Sequence, residues 1–123
     1  MTENEIASIV VDIAYQIHSK LGPGLLESVY EEIMFHELTK QNLFVERQKG
    51  IPVLWNDMKM ELGFRADLVV ENKVIVELKS IEQLAPVHHA QTITYLKLSG
   101  YKLALLINFN SVLLKENIHL YIN

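Results

Sequence analysis

Two acids and a lysine stand close together in one stretch of the chain. Asp67 lies in Arg65-Ala66-Asp67-Leu68-Val69-Val70, and Glu77 and Lys79 lie in Val74-Ile75-Val76-Glu77-Leu78-Lys79. Between the two runs, Glu71-Asn72-Lys73 suits a three-residue hairpin loop, a register in which Asp67 faces Glu77 and Arg65 faces Lys79. One face of that hairpin, Ala66, Leu68, Val70, Val74, Val76 and Leu78, is then wholly apolar and must be buried. The other carries Arg65, Asp67, Val69, Ile75, Glu77 and Lys79, with its charges at the end away from the turn. Two directly opposed carboxylates have Cβ atoms about 5 Å apart and repel, so something positive belongs between them. A divalent cation with oxygen preference fits, since Mg²⁺ is held by one or two carboxylates and keeps its other positions for water and phosphate oxygens. The alternative is a solvated charge face in which Arg65 and Lys79 neutralise the acids.

Glu27 adds a third carboxylate. At about 100° per residue it falls on the same stripe as Tyr30, Met34 and Leu38, positions expected to face the core, where an ionised group needs a partner. Alternatively it lies in a first helical turn and complements the helix dipole. His88, Gln91 and Tyr95 share one face of a further helix, from which Gln91 and Tyr95 could reach a phosphate or a base or orient a carboxylate; a surface hydrogen-bonded pair is the simpler reading. His88-His89 is not a metal pair, because adjacent helical residues diverge. Gly22-Pro23-Gly24-Leu25-Leu26-Glu27 follows a helix, not a strand, and ends in Glu, so it is no dinucleotide loop, and Walker, His-Glu-x-x-His and Gly-x-Ser-x-Gly sequences are absent.

The elements that must position these residues can be read from pattern. Thr2 and Glu5 form a capping box at the start of a helix whose stripe is Ile6, Ile9, Val10, Ile13, Ile17 and Leu21, ended by Gly22-Pro23-Gly24. A second helix is predicted from about Leu25 to Gln41, with Leu26, Val29, Tyr30, Ile33, Met34 and Leu38 inward. After Asn42 come short antiparallel strands punctuated by Gly50, Pro52, Asn56-Asp57, Gly63 and the loop at Glu71. Pro86 opens a third helix through Ser99, closed by Gly100, and Leu103 to Ile107 and Ile118 to Ile122 are strands, the latter a short edge. The order predicts one α/β or α+β domain, residues 1–123, around a mixed sheet.

Composition narrows the function classes. With 123 residues, 50% hydrophobic and 21% charged, the chain builds one real core and has no room for a second catalytic module. Eleven Lys plus Arg against 15 Asp plus Glu give a net charge of −4, which excludes a non-specific electrostatic coat on nucleic acid and requires any such contact to be local. The absence of cysteine excludes disulfides, thiolate zinc sites and a cysteine nucleophile. The polar, acidic residues Met1 to Glu5 and the lack of a long apolar run predict a soluble, cytoplasmic protein with no membrane partner.

Gly24-Leu25-Leu26-Glu27-Ser28-Val29-Tyr30 resembles the signature of the GxxExxY protein family, in the exonuclease-like branch of the PD-(D/E)XK nuclease superfamily. Leu21-Gly22-Pro23, Arg65 to Val70, Glu77-Leu78-Lys79, Gln91-x-x-x-Tyr95, Leu96 and Leu106-Ile107-Asn108-Phe109 match in order, so the likeness runs from about Ile13 to the C-terminus. The resemblance implies a restriction-endonuclease-like α/β core, a mixed central sheet flanked by helices, with the active site at one end of a hairpin. By position, Asp67 and Glu77 resemble the metal-binding acids, Leu78 offers its carbonyl, Lys79 resembles the water-orienting lysine, and Glu27 matches the additional helix carboxylate. Gln91 and Tyr95 match the Gln-x-x-x-Tyr element. The implied cofactor is Mg²⁺ or Mn²⁺, and the implied reaction is in-line hydrolysis of a nucleic-acid backbone, DNA above all, leaving 5′-phosphate and 3′-hydroxyl ends.

Three positions depart from the family pattern. Ala66 replaces the usual proline, Asn110 stands where glycine follows Asn108-Phe109, and Leu120 stands where a basic residue is expected. Asparagine tolerates left-handed backbone, so the turn can survive, whereas Leu120 weakens the expectation of a phosphate contact there. Arg47, Lys49, Arg65 and Lys97 could supply local positive charge. Competing readings are a catalytically inactive module of the same fold that binds nucleic acid or protein, and a small-molecule phosphodiesterase using the same residues. A chain of this size could form a homodimer through a helix face or a sheet edge.

Overall fold

The computed structural model describes residues 1–123. Helix α1 (Glu3–Leu21) starts at the expected capping box: the Glu5 N–H donates to the Thr2 hydroxyl at 3.2 Å, and the Thr2 N–H donates to the Glu5 carboxylate at 2.9 Å. Its buried stripe is Ile6, Ala7, Val10, Ile13, Ala14 and Ile17; Leu21, at the end of the helix against Gly22, is exposed instead. Helix α2 (Glu27–Lys40) begins two residues later than expected, which leaves Leu26 as an exposed N-cap and Val29 exposed in the first turn. Tyr30, Met34 and Leu38 form its buried stripe as expected.

Two long strands follow, β1 (Val45–Trp55) and β2 (Met58–Val70), joined at Asn56-Asp57. Gly50, Pro52 and Gly63, read from sequence as breaks between short strands, lie inside this hairpin. Pro52 sits at a register shift between Ile51 and Val53, where its missing donor is tolerated. Gly63 is required by close approach, since a Cβ there would collide with the Val53 side chain. Strand β3 (Val74–Lys79) pairs with β2 only at Leu68↔Val76, Val69↔Ile75 and Val70↔Val74. The rest of the β1–β2 hairpin therefore projects beyond its neighbour, with Leu54, Trp55, Met58 and Leu62 exposed.

Helix α3 (Pro86–Ser99) connects β3 to β4 (Leu103–Asn108), which lies parallel to it, and β5 (Ile118–Ile122) closes the sheet as an antiparallel edge. The order β1-β2-β3-β4-β5 is a mixed sheet in an α/β fold, consistent with a restriction-endonuclease-like core. Helices α1 and α2 cover one face, over Leu68, Val70, Val74, Val76, Leu78, Leu105 and Ile107. Helix α3 covers the other with Leu96, over Ile51, Val69, Ile75 and Ala104. Both faces of the β2–β3 hairpin are thus buried near its turn, and at the charged end Glu77 is itself buried, so that face is not fully solvated. Ala66, expected beside Leu68, belongs to the smaller cluster under α3, beyond a break in the β1–β2 ladder at Gln48. No helix is long and apolar enough to cross a membrane.

Candidate active site

The β2–β3 ladder ends one step short of the acids. Asp67 and Glu77 do not form a strand pair; in place of the next rung, Asp67 Oδ2 accepts the Leu78 N–H at 2.8 Å. The sequence register is right for the pairs nearest the turn and fails beyond them, because a side chain has taken the backbone's partner. Arg65 likewise is not opposed to Lys79. It pairs with Gly50 of β1 and donates from Nη1 to the Gln48 carbonyl at 3.3 Å.

Glu77 is 5% exposed, and its Oε1 has no hydrogen-bond partner. Burial pushes its carboxyl up to about 9, the negative charge of Asp67 adds to the effect, and Lys79 opposes it. Burial and the neighbouring Asp67 charge thus both favour the protonated form of Glu77. Lys79 is half-buried and forms no ion pair within 4.0 Å, so its ammonium is uncommitted.

Glu27 reaches the same place from α2, though not as the periodicity implies. It is the first helical residue and stands at the exposed rim, so the dipole-complementing position and the site position coincide. Partial burial raises its carboxyl above the ordinary value; Lys79 counters this, Asp67 reinforces it, and the Ser80 backbone N–H favours the anion. The turn that carries it is tied down on two sides. The Tyr30 hydroxyl donates to the Gly22 carbonyl at 2.6 Å and accepts from the Leu25 N–H at 3.3 Å, while its ring stacks on Phe109 with centroids 4.4 Å apart. Ser80 Oγ, just past β3, donates to the Leu25 carbonyl at 2.5 Å. The segment after Lys79 is in turn fixed by buried Asn108, whose Nδ2 donates to the Ile81 carbonyl at 2.9 Å and whose Oδ1 accepts the Ile81 N–H at 3.1 Å.

A model of the PD-(D/E)XK nuclease superfamily matches residues 4–120. The chain belongs to that superfamily. Searches of curated proteins and of solved structures return no match. Membership points to metal-dependent nuclease chemistry, and in that light the Asp67, Glu77 and Lys79 cluster is the candidate catalytic centre of a superfamily member.

An open cleft of about 370 Å³ lies beside it, lined by Leu26, Glu27, Ser28, Glu31 and Gln48. Glu31 and Gln48 escaped the sequence reading. Glu31 had a signal, being one helical turn beyond Glu27; Gln48 had none, since nothing in Arg47-Gln48-Lys49 sets it apart from any polar strand segment. Arg47 does not supply free positive charge, because it bonds Glu31 at 3.1 Å and Glu32 at 2.5 Å. Lys49 is likewise committed to Glu46 at 2.8 Å. Arg65, Lys79 and Lys97 remain without ion pairs.

Helix α3 brings Tyr95 to the site. Its ring stacks on Phe64 of β2 with centroids 3.9 Å apart, and its hydroxyl is raised by burial and then by the charges of Glu77 and Asp67. Gln91, one turn earlier, is exposed and its side chain makes no hydrogen bond within the chain, so the expected surface pairing with Tyr95 is absent. His88 does something else: its Nδ1 accepts the Ala85 N–H at 2.8 Å at the start of α3. His89 pairs with the Tyr121 hydroxyl and meets His119 edge-on. Asn110 does not take left-handed backbone; its N–H is held by Asn108 Oδ1 at 3.2 Å, which is why glycine is dispensable there.

The donor set fits a hard cation. Two neighbouring carboxyl groups, one of them buried with an unpartnered oxygen and raised by that burial and by the other's charge, are what such an ion would relieve. No three acidic or histidine side chains stand close enough to form a complete metal cage, so water or substrate oxygens would fill the remaining positions.

Proposed function

We propose that this protein is a nuclease that hydrolyses the phosphodiester backbone of DNA with Mg²⁺ or Mn²⁺ at Asp67 and Glu77. The observation that carries the reading is the unpartnered oxygen of buried Glu77, next to Asp67 and within the field of a lysine that has no ion pair. Asp67 and Glu77 would hold the ion, with the Leu78 carbonyl, while Glu27, at the rim and too far to join them as a third carboxylate ligand, would act through a water on the ion. Bound there, such an ion supplies Lewis-acid polarisation of the phosphoryl oxygen and lowers the pKa of a water.

The remaining work falls to side chains. Lys79 donates a hydrogen bond to the attacking water and aims it in line with the scissile bond, which an ammonium on the adjacent β3 position is suited to do. The Leu78 N–H keeps Asp67 in one orientation throughout. Tyr95, braced by Phe64, and Gln91 on the exposed turn before it present hydrogen-bonding groups to the phosphate or the flanking base. Arg65 and Lys97 carry the local positive charge that an overall acidic protein needs to receive a polyanion.

The test has two parts. Mn²⁺ titration by calorimetry on wild type and Asp67→Asn asks for saturable binding that the variant loses. Cleavage of single-stranded and linear duplex DNA in Mg²⁺ or Mn²⁺ then compares wild type with Lys79→Ala; equal rates for the two proteins would remove the proposal.

A further inference from the structure

Gln48 stands opposite Asp67 in β1, between the pairs Arg47↔Leu68 and Lys49↔Ala66, and at that one step the ladder has no rung. Its φ is +47°, left-handed backbone in the middle of a strand, which a long side chain adopts only where its surroundings impose it. The surroundings are two carboxylates. Gln48 Nε2 donates to Glu31 Oε1 at 2.7 Å and to Asp67 Oδ1 at 3.2 Å, so both protons of the amide are committed to acids. Glu31, only 8% exposed, is fixed from behind, its Oε2 accepting from Arg47 Nη2 at 3.1 Å and from Arg47 Nε at 3.3 Å. Asp67 is meanwhile held through its other oxygen by the Leu78 N–H at 2.8 Å.

We infer that Gln48 is a positioning residue, which clamps the Asp67 carboxylate for the cation through an anchor made by Glu31 and Arg47. With both Asp67 oxygens held from β1 and β3, the carboxylate cannot rotate about its terminal torsion, a freedom that a lone strand aspartate has. Outer-shell partners of this kind orient a ligand and raise metal affinity without touching the metal. The left-handed backbone turns the Gln48 amide toward the acids, at the cost of one backbone rung. The inference rests on the metal reading of Asp67 and Glu77.

The experiment measures Mn²⁺ affinity by calorimetry, and melting temperature in chelator, for wild type, Gln48→Gly and Gln48→Met. Glycine suits φ +47° and methionine keeps the length, but neither can donate to a carboxylate. Both variants are expected to bind Mn²⁺ roughly ten- to a hundredfold more weakly, with the fold of the glycine variant retained. Wild-type affinity in Gln48→Gly overturns the inference and leaves the metal reading standing; should the glycine variant not fold, wild-type affinity in Gln48→Met does the same. A wild type that binds no Mn²⁺ overturns both.

Discussion

The phenol of Tyr30 donates a 2.6 Å hydrogen bond to the carbonyl of Gly22, eight residues back, across the turn that presents Glu27. With the Leu25 N–H, which donates to the same hydroxyl, this bond ties Tyr30 to the turn that precedes Glu27. The tyrosine, buried against Phe109, secures the turn, the turn starts α2, and the start of α2 places the carboxylate at the rim beside Lys79. Tyr30→Phe keeps the ring stack and removes only the hydroxyl, leaving the Leu25 N–H and the Gly22 carbonyl short of a partner. It is expected to cost about 1–2 kcal/mol in urea denaturation, and a loss below a few tenths would show that the turn is secured by other contacts.

Glu77 makes stability depend on pH. Its carboxyl holds a proton up to about 9 in the fold against 4.5 as the ordinary value, so between those limits the folded protein binds more protons than the unfolded chain. Stability is then fully present below 4.5 and falls as the pH rises towards 9, with a slope approaching about 1.4 kcal/mol per pH unit in the middle of the window. In chelator, urea midpoints measured at pH 5 and pH 8 should differ for wild type, and Glu77→Gln should remove much of that difference and be the more stable protein at pH 8. Equal slopes for the two proteins would place the titration elsewhere.

Much of the frame was legible because local chemistry determined it. The Thr2 and Glu5 capping box, the loop at Glu71-Asn72-Lys73 with two left-handed residues, Pro86 at the start of α3 and Gly100 at its end all rest on neighbours in sequence. Asp67, Glu77, Lys79 and Tyr95 do converge, because alternation along β2 and β3 and the helical period of α3 determine their faces. The long β1–β2 hairpin was not legible, because its glycines and proline serve a bulge and a close crossing that only the partner strand reveals. Nor was the Gln48 amide, since a left-handed residue in a strand breaks the alternation on which strand reading depends.

Gly63 offers a direct test of the long hairpin. A Cβ added there meets the Val53 side chain on the paired strand, with the Ile51 carbonyl 3.3 Å away, so there is no space into which it can move. Gly63→Ala is expected to destabilise by about 1–3 kcal/mol, as overpacking does, and to blunt the exposed tip at Trp55, the only tryptophan, whose fluorescence reports it. A neutral Gly63→Ala would mean that the two strands do not cross so closely.

Lys79 separates binding from chemistry. It forms no ion pair, so its removal leaves no carboxylate newly stripped of a salt bridge, yet its charge lowers the proton affinity of both Glu27 and Glu77. In Lys79→Ala these acids hold their protons more tightly, but the loss of a positive neighbour favours a divalent cation more strongly still, so Mn²⁺ affinity should be retained or rise. The rate of DNA cleavage at saturating metal should fall by roughly 10²–10³-fold, as for loss of one positioned donor, and that loss should not recover with pH. A rate restored by alkaline pH alone would assign Lys79 to tuning the acids and not to aiming the water.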